Sequence, residues 1–321
     1  MTRRALCLAL ALVASGAAGQ GYPTRPVTLV NPFAAGGPVD AVARIMSAPM
    51  SQALGQPVLV DYTVGAAGTI GVGRVARAAP DGYTLSIGHW GTHVINAAIY
   101  PLQYDVLRDL EPVGMICANP LLIVARSSFP AANLKELIAW LKANPDKASV
   151  GTAGVGSGSH MGGVYFQSAT GTKVQYIPYK GTGPAMQDLL AGRLDFMVDQ
   201  ASNSLPQVRG GKIKAYAVTA KTRLSAAPEI PTVDEAGLTG LYVSVWSGIW
   251  APKGTPRDIV AKLNAAMVSA LADPAARQRL RDLGQEITPR DQQTPEALAA
   301  FHKAEAEKWW PLVKAAGIKP E

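Results

Sequence analysis

The chain has 321 residues, of which 48% are hydrophobic and 17% are charged, and its formal net charge is +7 at pH 7. A chain of this length suits two globular domains. Its lysines and arginines are dispersed, with no block of like charges and no interleaved run of aromatic residues, which argues against a nucleic-acid-binding protein.

The N-terminus, 1–19, has the organisation of a secretory signal peptide. Arg3 and Arg4 precede an apolar stretch at 5–14, and small residues follow at 15–19, the order that substrates of signal peptidase share. The apolar stretch is shorter than the roughly 20 residues that span a bilayer, and no later segment is apolar for long enough. We therefore expect a cleaved signal peptide and an exported, soluble protein; a buried N-terminal helix is the alternative.

The chain contains only two cysteines. Cys7 lies in the predicted signal peptide, so the mature chain keeps Cys117 alone and has no internal disulfide. We expect Cys117 to be a small buried hydrophobic side chain. A catalytic thiol is the alternative, although no motif surrounds this residue.

After the signal peptide, segments of strand length alternate with helical patterns. Apolar segments typical of strands begin at 27 and recur at 58–60, 84–87, 121–124, 196–198 and 215–218. Helical patterns lie at 38–54, 134–143, 184–191, 257–272, 275–283 and 294–316. This alternation predicts an α/β fold with mostly parallel sheets.

Two of the predicted helices carry local signals. Pro49 lies inside the helix at 38–54 and should kink or break it near 45–48. Asn133 and Glu136 have the spacing of a capping box, which predicts that a helix begins directly after Asn133.

The domain organisation follows from the absence of a low-complexity linker and of an internal repeat. Two domains without a linker usually mean that the chain crosses between them more than once. We place the crossings near Val124 and at 242–243. This predicts a discontinuous first domain, 20–123 with 245–321, and a second domain, 124–244.

Three glycine-rich loops join a predicted strand to a predicted helix. The first, 32–40, has almost no side chains ahead of Pro38, which suits the first helical position because its missing N–H would be unpaired there. The others lie at 151–163 and 179–184. Free N–H groups at a helix N-terminus attract anions, and ligands of α/β sheets bind at the carboxyl ends of strands. A tight turn alone would explain one such loop; three predict a shared anion-binding cleft.

Motifs of catalysis and of metal binding are absent from the sequence. There is no G-x-S-x-G elbow, Walker A loop or complete dinucleotide fingerprint. His89 and His93 are four residues apart, but neighbouring glycines argue against a helix that would pair them on a metal. His160 lies beside Ser157 and Ser159, so an exported Ser/His hydrolase stays an alternative, although no orienting acid is indicated. We expect no enzyme activity, no cofactor and no metal.

Acidic and aromatic residues lie near the predicted strand ends. Asp40 falls in the first turn of the helix after the first loop, where a carboxylate suits the helix dipole. Asp199 ends the strand that starts at 196 and is a candidate to line the cleft. Trp90 and Trp246 either wall a ligand or pack in the core.

These motifs together resemble the Bug family, the periplasmic receptors of tripartite tricarboxylate transporters. The matching segments keep their order over nearly the whole mature chain, at 32–40, 43–44, 65–68, 80–85, 156–160, 178–181, 231–237 and 251–256. Two departures stand out. The segment 61–63, Asp-Tyr-Thr, replaces an Asn-Arg or Asn-Lys pair of many relatives, and His89 with Trp90 replaces smaller residues.

The resemblance implies a two-domain periplasmic binding protein of type II-like architecture, whose cleft closes on a ligand carboxylate. It implies a monomeric receptor that delivers a small carboxylate to the membrane permease of a tripartite tricarboxylate transporter; a ligand sensor for signalling is the alternative. The tryptophan in the 89–90 departure adds an aromatic acid such as terephthalate to the aliphatic di- and tricarboxylates. The expected ligand-binding residues are Phe33, Ala35, Gly36, Gly37, Asp40, His89, Trp90, Thr92, Ser157, Gly158, Ser159, His160, Thr182, Gly183, Asp199 and Trp246.

Overall fold

The computed structural model describes residues 21–320, so the predicted signal peptide lies outside the described residues. Within this range strands and helices alternate, as the sequence predicts, and the fold is mixed α/β. The strands are β1 Val27–Asn31, β2 Val58–Tyr62, β3 Thr84–His89, β4 Leu110–Arg126, β5 Ser149–Thr152, β6 Gln175–Pro178, β7 Phe196–Gln200, β8 Ile213–Val218, β9 Ser244–Pro252 and β10 Glu286–Ile287.

The helices lie between and after these strands. They are α1 Pro38–Leu54, α2 Thr69–Ala76, α3 Asn96–Ile99, α4 Leu134–Ala143, α5 Gly158–Thr170, α6 Thr182–Leu190, α7 Ala201–Arg209, α8 Arg257–Ala272, α9 Pro274–Asp282 and α10 Pro295–Ala315. A π-helix, Gly91–Ile95, separates β3 from α3.

The curled sheet has two portions that share β4. The first sheet portion contains β2, β1, β3 and β9 together with residues 110–120 of β4, and the short β10 also pairs with β4 there. The second sheet portion contains β7, β8, β5 and β6 together with residues 121–126 of β4. The chain therefore passes from one portion to the other inside a single strand, between Pro120 and Leu121, and returns ahead of β9.

Strand direction differs from the prediction of mostly parallel sheets. β1 is parallel to β2 and β3, and β5 is parallel to β6 and β7. β4, of 17 residues, and β9, of 9 residues, run antiparallel to their neighbours. The prediction is wrong for these strands because β4 carries the chain from the first portion into the second without a crossover helix, and β9 then lies antiparallel between β3 and β4 in the first portion.

The core is built from amphipathic helices on both sheet portions. In α1, Val42, Met46 and Met50 follow the three- to four-residue spacing of one helix face and are buried in one hydrophobic cluster with Leu263 and Met267 of α8. Full burial of a side chain of this size stabilises the fold by about 1.5–3 kcal/mol. This packing fixes the orientation of α1, whose N-terminus directly follows the loop after β1.

The local signals have mixed outcomes. Helix α1 continues past Pro49, so the predicted break does not occur. The capping box is confirmed, because Asn133 Oδ1 accepts from Glu136 N at 2.9 Å and Glu136 Oε2 accepts from Ala132 N at 2.7 Å. Cys117 is fully buried, and burial raises the pKa of its thiol to about 12.

Among the described residues, no single helix is both long and apolar enough to cross a membrane. Helices α8 and α9 meet the length and composition criteria only as a pair, and their axes are bent by 70° at the break between them.

Candidate ligand-binding site

A cavity lies at the carboxyl ends of the parallel strands, between residues of the two sheet portions. Its walls come from the ends of β3 and β7 and from the loops that follow β1, β5 and β6. The lining residues are Phe33, Ala34, Gly37, Pro38, Val39, Asp40, His89, Ala153, Ser157, Gly158, Ser159, Thr182 and Gln200. The three glycine-rich loops of the sequence therefore meet at one cavity.

Three helix N-termini border this cavity. Helices α1 and α6 begin after Gly37 and Gly181, which have no side chain to cap the first turn. Helix α5 begins after Ser157, whose Oγ accepts from His160 N at 3.3 Å. Uncapped N–H groups carry the positive end of the helix dipole, so this arrangement favours an anion.

The first loop is shaped by Asp40. Its Oδ2 accepts from Gly36 N at 2.8 Å, and its Oδ1 accepts from Arg44 Nε at 2.9 Å and from Tyr62 OH at 2.6 Å. The N–H of Gly36 is thus used within the chain rather than left free, and Gly36 and Ala35 line a neighbouring surface groove instead of the cavity. Tyr62 lies in the segment 61–63, where this sequence departs from its relatives. Its hydroxyl holds the Asp40 carboxylate, which in turn fixes the conformation of this loop.

The first and third loops touch across the cavity entrance. Ala34 N donates to Lys180 O at 2.9 Å. A methyl group on Gly183 would lie 2.8 Å from the carbonyl carbon of Gly36 and 2.9 Å from Ala35 O, so only glycine allows this approach. Gly183 belongs to this contact and to the neighbouring groove.

The second loop is organised by its own serines and histidine. Ala153 N donates to Ser159 Oγ at 3.0 Å, and the hydroxyls of Ser157 and Ser159 are 3.2 Å apart. His160 Nδ1 accepts from Gly156 N at 3.4 Å, and burial lowers the pKa of this histidine to about 4. His160 holds the loop and does not line the cavity.

The end of β3 brings His89 into the cavity wall. Its Nδ1 accepts from Gly91 N at 2.9 Å and from Thr92 N at 3.4 Å. Its ring stacks on Phe33 with a centroid separation of 5.1 Å and an interplanar angle of 13°. Thr92 lies behind His89, because its Oγ1 donates to His89 O at 3.0 Å.

The two predicted tryptophans do not line the cavity. The ring of Trp90 packs edge-on against Trp309 of α10 at 4.9 Å. Trp246 Nε1 donates to Glu305 at 3.1 Å, and its ring packs against Phe301 at 5.1 Å. The aromatic wall is instead formed by Phe33 and His89, since the turn into the π-helix directs Trp90 to the opposite side of β3.

Asp199 is buried next to the cavity rather than in its wall. Its Oδ2 accepts from Asn203 Nδ2 at 2.6 Å and from Ser204 Oγ at 3.1 Å, and burial raises its pKa to about 6. Asn203 also donates to Thr182 O at 3.2 Å, which ties the start of α6 to α7. The neighbouring Gln200 lines the cavity. Sequence reasoning missed it, although it follows Asp199 at a strand end.

The electrostatics of the wall are simple. Asp40 is the only charged side chain among the lining residues that the structure describes, and Arg44 pairs with it. No group of three or more potential metal ligands occurs in residues 21–320. His93, the partner of His89 in the possible metal pair, stacks on Trp250 at 3.8 Å instead. The cavity therefore offers neutral hydrogen-bond donors to an anion.

Comparisons with known proteins agree with this geometry. Residues 42–318 match the family described as "Tripartite tricarboxylate transporter family receptor". A protein encoded in the TAR-I ttuE-ttuC' intergenic region of Agrobacterium vitis is 43% identical over 301 residues, which cover 94% of this chain and 87% of that protein.

Solved structures show the same fold over more than nine tenths of this chain. The periplasmic binding protein BugD is 44% identical with a TM-score of 0.90 and covers 94% of this chain and 100% of its own. MatC from Rhodopseudomonas palustris, with bound malate, is 42% identical with a TM-score of 0.88 and covers 91% of this chain and 100% of its own. An R. palustris protein with adipate is 34% identical with a TM-score of 0.88, covering 94% and 100%.

The match spans most of the chain, and the identities exceed two fifths for several relatives. The chain therefore belongs to the tripartite tricarboxylate transporter receptor family, a family of binding proteins rather than enzymes, and is a periplasmic solute-binding receptor.

Proposed function

We propose that this receptor captures a small aliphatic dicarboxylate and delivers it to the permease of a tripartite tricarboxylate transporter. The observation that carries the proposal is the convergence of three helix N-termini on one cavity without a lining cation. Such N–H groups suit a carboxylate. The relatives with bound malate and adipate support a diacid.

The solved relatives support an aliphatic over an aromatic acid, since the ligands bound in them are malate and adipate. The prediction of an aromatic acid as ligand depended on Trp90, whose ring packs against Trp309 outside the cavity. We therefore expect terephthalate to bind more weakly than the aliphatic diacids.

Ligand capture also requires two domains that close around the ligand. We propose that 20–123 with 245–321 form one domain and that 124–244 form the other, because the strand pairing changes partners close to both boundaries. The contact between Ala34 N and Lys180 O would then form on closure.

Calorimetry and thermal unfolding test the ligand class. The purified mature protein is titrated with malate, succinate, adipate and terephthalate, and we expect saturable binding and a raised Tm with at least one aliphatic diacid. Thr182→Val removes a hydroxyl from the cavity and should weaken that binding about tenfold. Thr239→Val, at an exposed position, is the matched control and should bind as wild type. No rise in Tm with any of these acids at millimolar concentration would contradict the proposal.

Delivery and export are tested in cells. Deleting the gene should abolish uptake of the bound diacid, whereas normal uptake with lost gene induction would favour a sensor. N-terminal sequencing of the exported protein should show that 1–19 have been removed; an intact N-terminus would contradict cleavage.

A further inference from the structure

His89 is the one histidine whose ring borders the cavity among the described residues. It ends β3 in the first sheet portion, whereas the helix N-termini follow β1, β5 and β6. Its side chain is almost fully enclosed, with 3% exposed. The cavity wall therefore includes a side chain at the end of β3 in addition to the three helix N-termini.

The proton position on His89 follows from its hydrogen bonds. Nδ1 accepts from Gly91 N at 2.9 Å and from Thr92 N at 3.4 Å. A ring nitrogen that accepts from N–H groups carries no proton, so the neutral ring must carry it on Nε2. No described residue accepts from Nε2, which leaves this N–H available to a ligand.

The ring is also fixed in orientation. It stacks on Phe33 at 5.1 Å, and Thr92 Oγ1 accepts from His89 N at 3.1 Å while it donates to His89 O at 3.0 Å. A methyl group on Gly91 would lie 2.7 Å from Cε1 of the ring, so glycine is needed beside it. Burial lowers the pKa of His89 to about 4, which keeps the ring neutral near pH 7.

We propose that the Nε2–H of His89 recognises a hydrogen-bond acceptor at the end of the ligand remote from the helix N-termini, and thereby selects diacids over monocarboxylic acids. This inference rests on the proposed function. A monoacid of equal length would leave the enclosed N–H without a partner, and an unpaired buried donor costs about 1–3 kcal/mol. A site built around a donor discriminates strongly against analogues that lack the acceptor.

The ratio of affinities for matched acids tests this selection. Kd is measured by calorimetry for succinate against butyrate and for adipate against hexanoate. We expect wild type to prefer the better-bound diacid roughly 5- to 150-fold over its monoacid. His89→Phe keeps an aromatic ring without the donor and should bring this ratio close to one through loss of diacid affinity. His89→Gln restores a donor and should recover part of it.

Two controls separate the possible outcomes. His302→Phe changes a buried histidine of α10 outside the cavity and should keep the wild-type ratio. An unchanged ratio in His89→Phe would overturn the role of His89 while leaving the receptor function in place. If wild type binds neither acid of either pair, the proposed function and this inference both fail.

A direct measurement does not depend on any variant folding. The ¹⁵N shifts of the histidine side chains in the ligand-free protein should show protonation of His89 at Nε2 only, and the Nε2–H proton should move downfield when succinate or adipate binds. Protonation at Nδ1, or an unmoved Nε2–H signal in the saturated complex, would overturn the inference.

Discussion

Gly183→Ala isolates the contact between the first and third loops from the stability of the fold. The added Cβ would lie 2.8 Å from Gly36 C, 2.9 Å from Ala35 O and 3.0 Å from Gly37 N. All three are backbone atoms, so no side chain can rotate away. In the open receptor that the proposed closure implies, these loops would be separated and the same methyl group would meet no such obstacle.

The size of the effect follows from that overlap. Reaching the 3.4 Å of ordinary contact requires a shift of about 0.6 Å between the loops. Overpacking of this kind costs about 1–3 kcal/mol, and since 1.4 kcal/mol is tenfold in affinity, Kd for the diacid should rise roughly 5- to 150-fold. Alanine inside α6 favours the helix by about 1 kcal/mol, so the Tm of the ligand-free protein should not fall.

Calorimetry with malate, succinate and adipate measures the Kd, and thermal unfolding without ligand measures the Tm. Gln187→Ala, at an exposed position of the same helix, controls for changes in helix propensity. A Kd for Gly183→Ala within twofold of wild type would refute the argument. A large fall in the ligand-free Tm would show instead that the loops stay in contact without ligand.

Further predictions concern acid stability and the first loop. Burial lowers the pKa of all four histidines, to about 4 for His89 and His160, and His93 and His302 shift in the same direction. The unfolded chain therefore binds more protons below pH 6.5, and stability is lost as pH falls from 6.5 towards 4. Asp199, with its pKa raised to about 6, opposes this in part. The free energy of unfolding in urea should fall by at least about 2 kcal/mol from pH 7.5 to 5.5, and a rise would contradict the assignment. Asp40→Asn disturbs a buried acceptor of three hydrogen bonds, so it should lower the free energy of unfolding by about 1–3 kcal/mol and weaken diacid binding. Glu307→Gln, in an exposed ion pair, is the control and should change neither the free energy of unfolding nor diacid binding measurably. Equal effects of the two substitutions would count against the role given to Asp40.

Periodicity and loop composition sufficed for most elements of the fold. The predicted helices at 134–143 and 257–272 coincide with α4 and α8, because their caps and prolines are local signals. The antiparallel course of β4 was not predictable in this way. Its residues look the same in a parallel sheet, and their direction depends on a partner, β9, that lies more than a hundred residues away.

The candidate site was likewise predictable only where its features have local causes in the sequence. The loops that form it could be predicted, since glycines ahead of a helix have a local cause. Which neighbour faces the cavity could not: His89 lines it and Trp90 does not, because neighbouring side chains at the end of a strand point to opposite faces and the sequence does not reveal which face the cavity occupies. The engagement of Gly36 N by Asp40 depends equally on how Arg44 and Tyr62 hold that carboxylate.

The absence of a lysine or arginine among the described cavity-lining residues has a kinetic consequence for a receptor that must hand its cargo over. A carboxylate locked to a guanidinium leaves slowly, because the ion pair must be separated at low dielectric. In the proposed function the anion would instead be held by many individually modest N–H groups. If the Ala34–Lys180 contact opens as proposed, water would replace these donors one at a time, so tight capture and rapid unloading would be compatible in the same site.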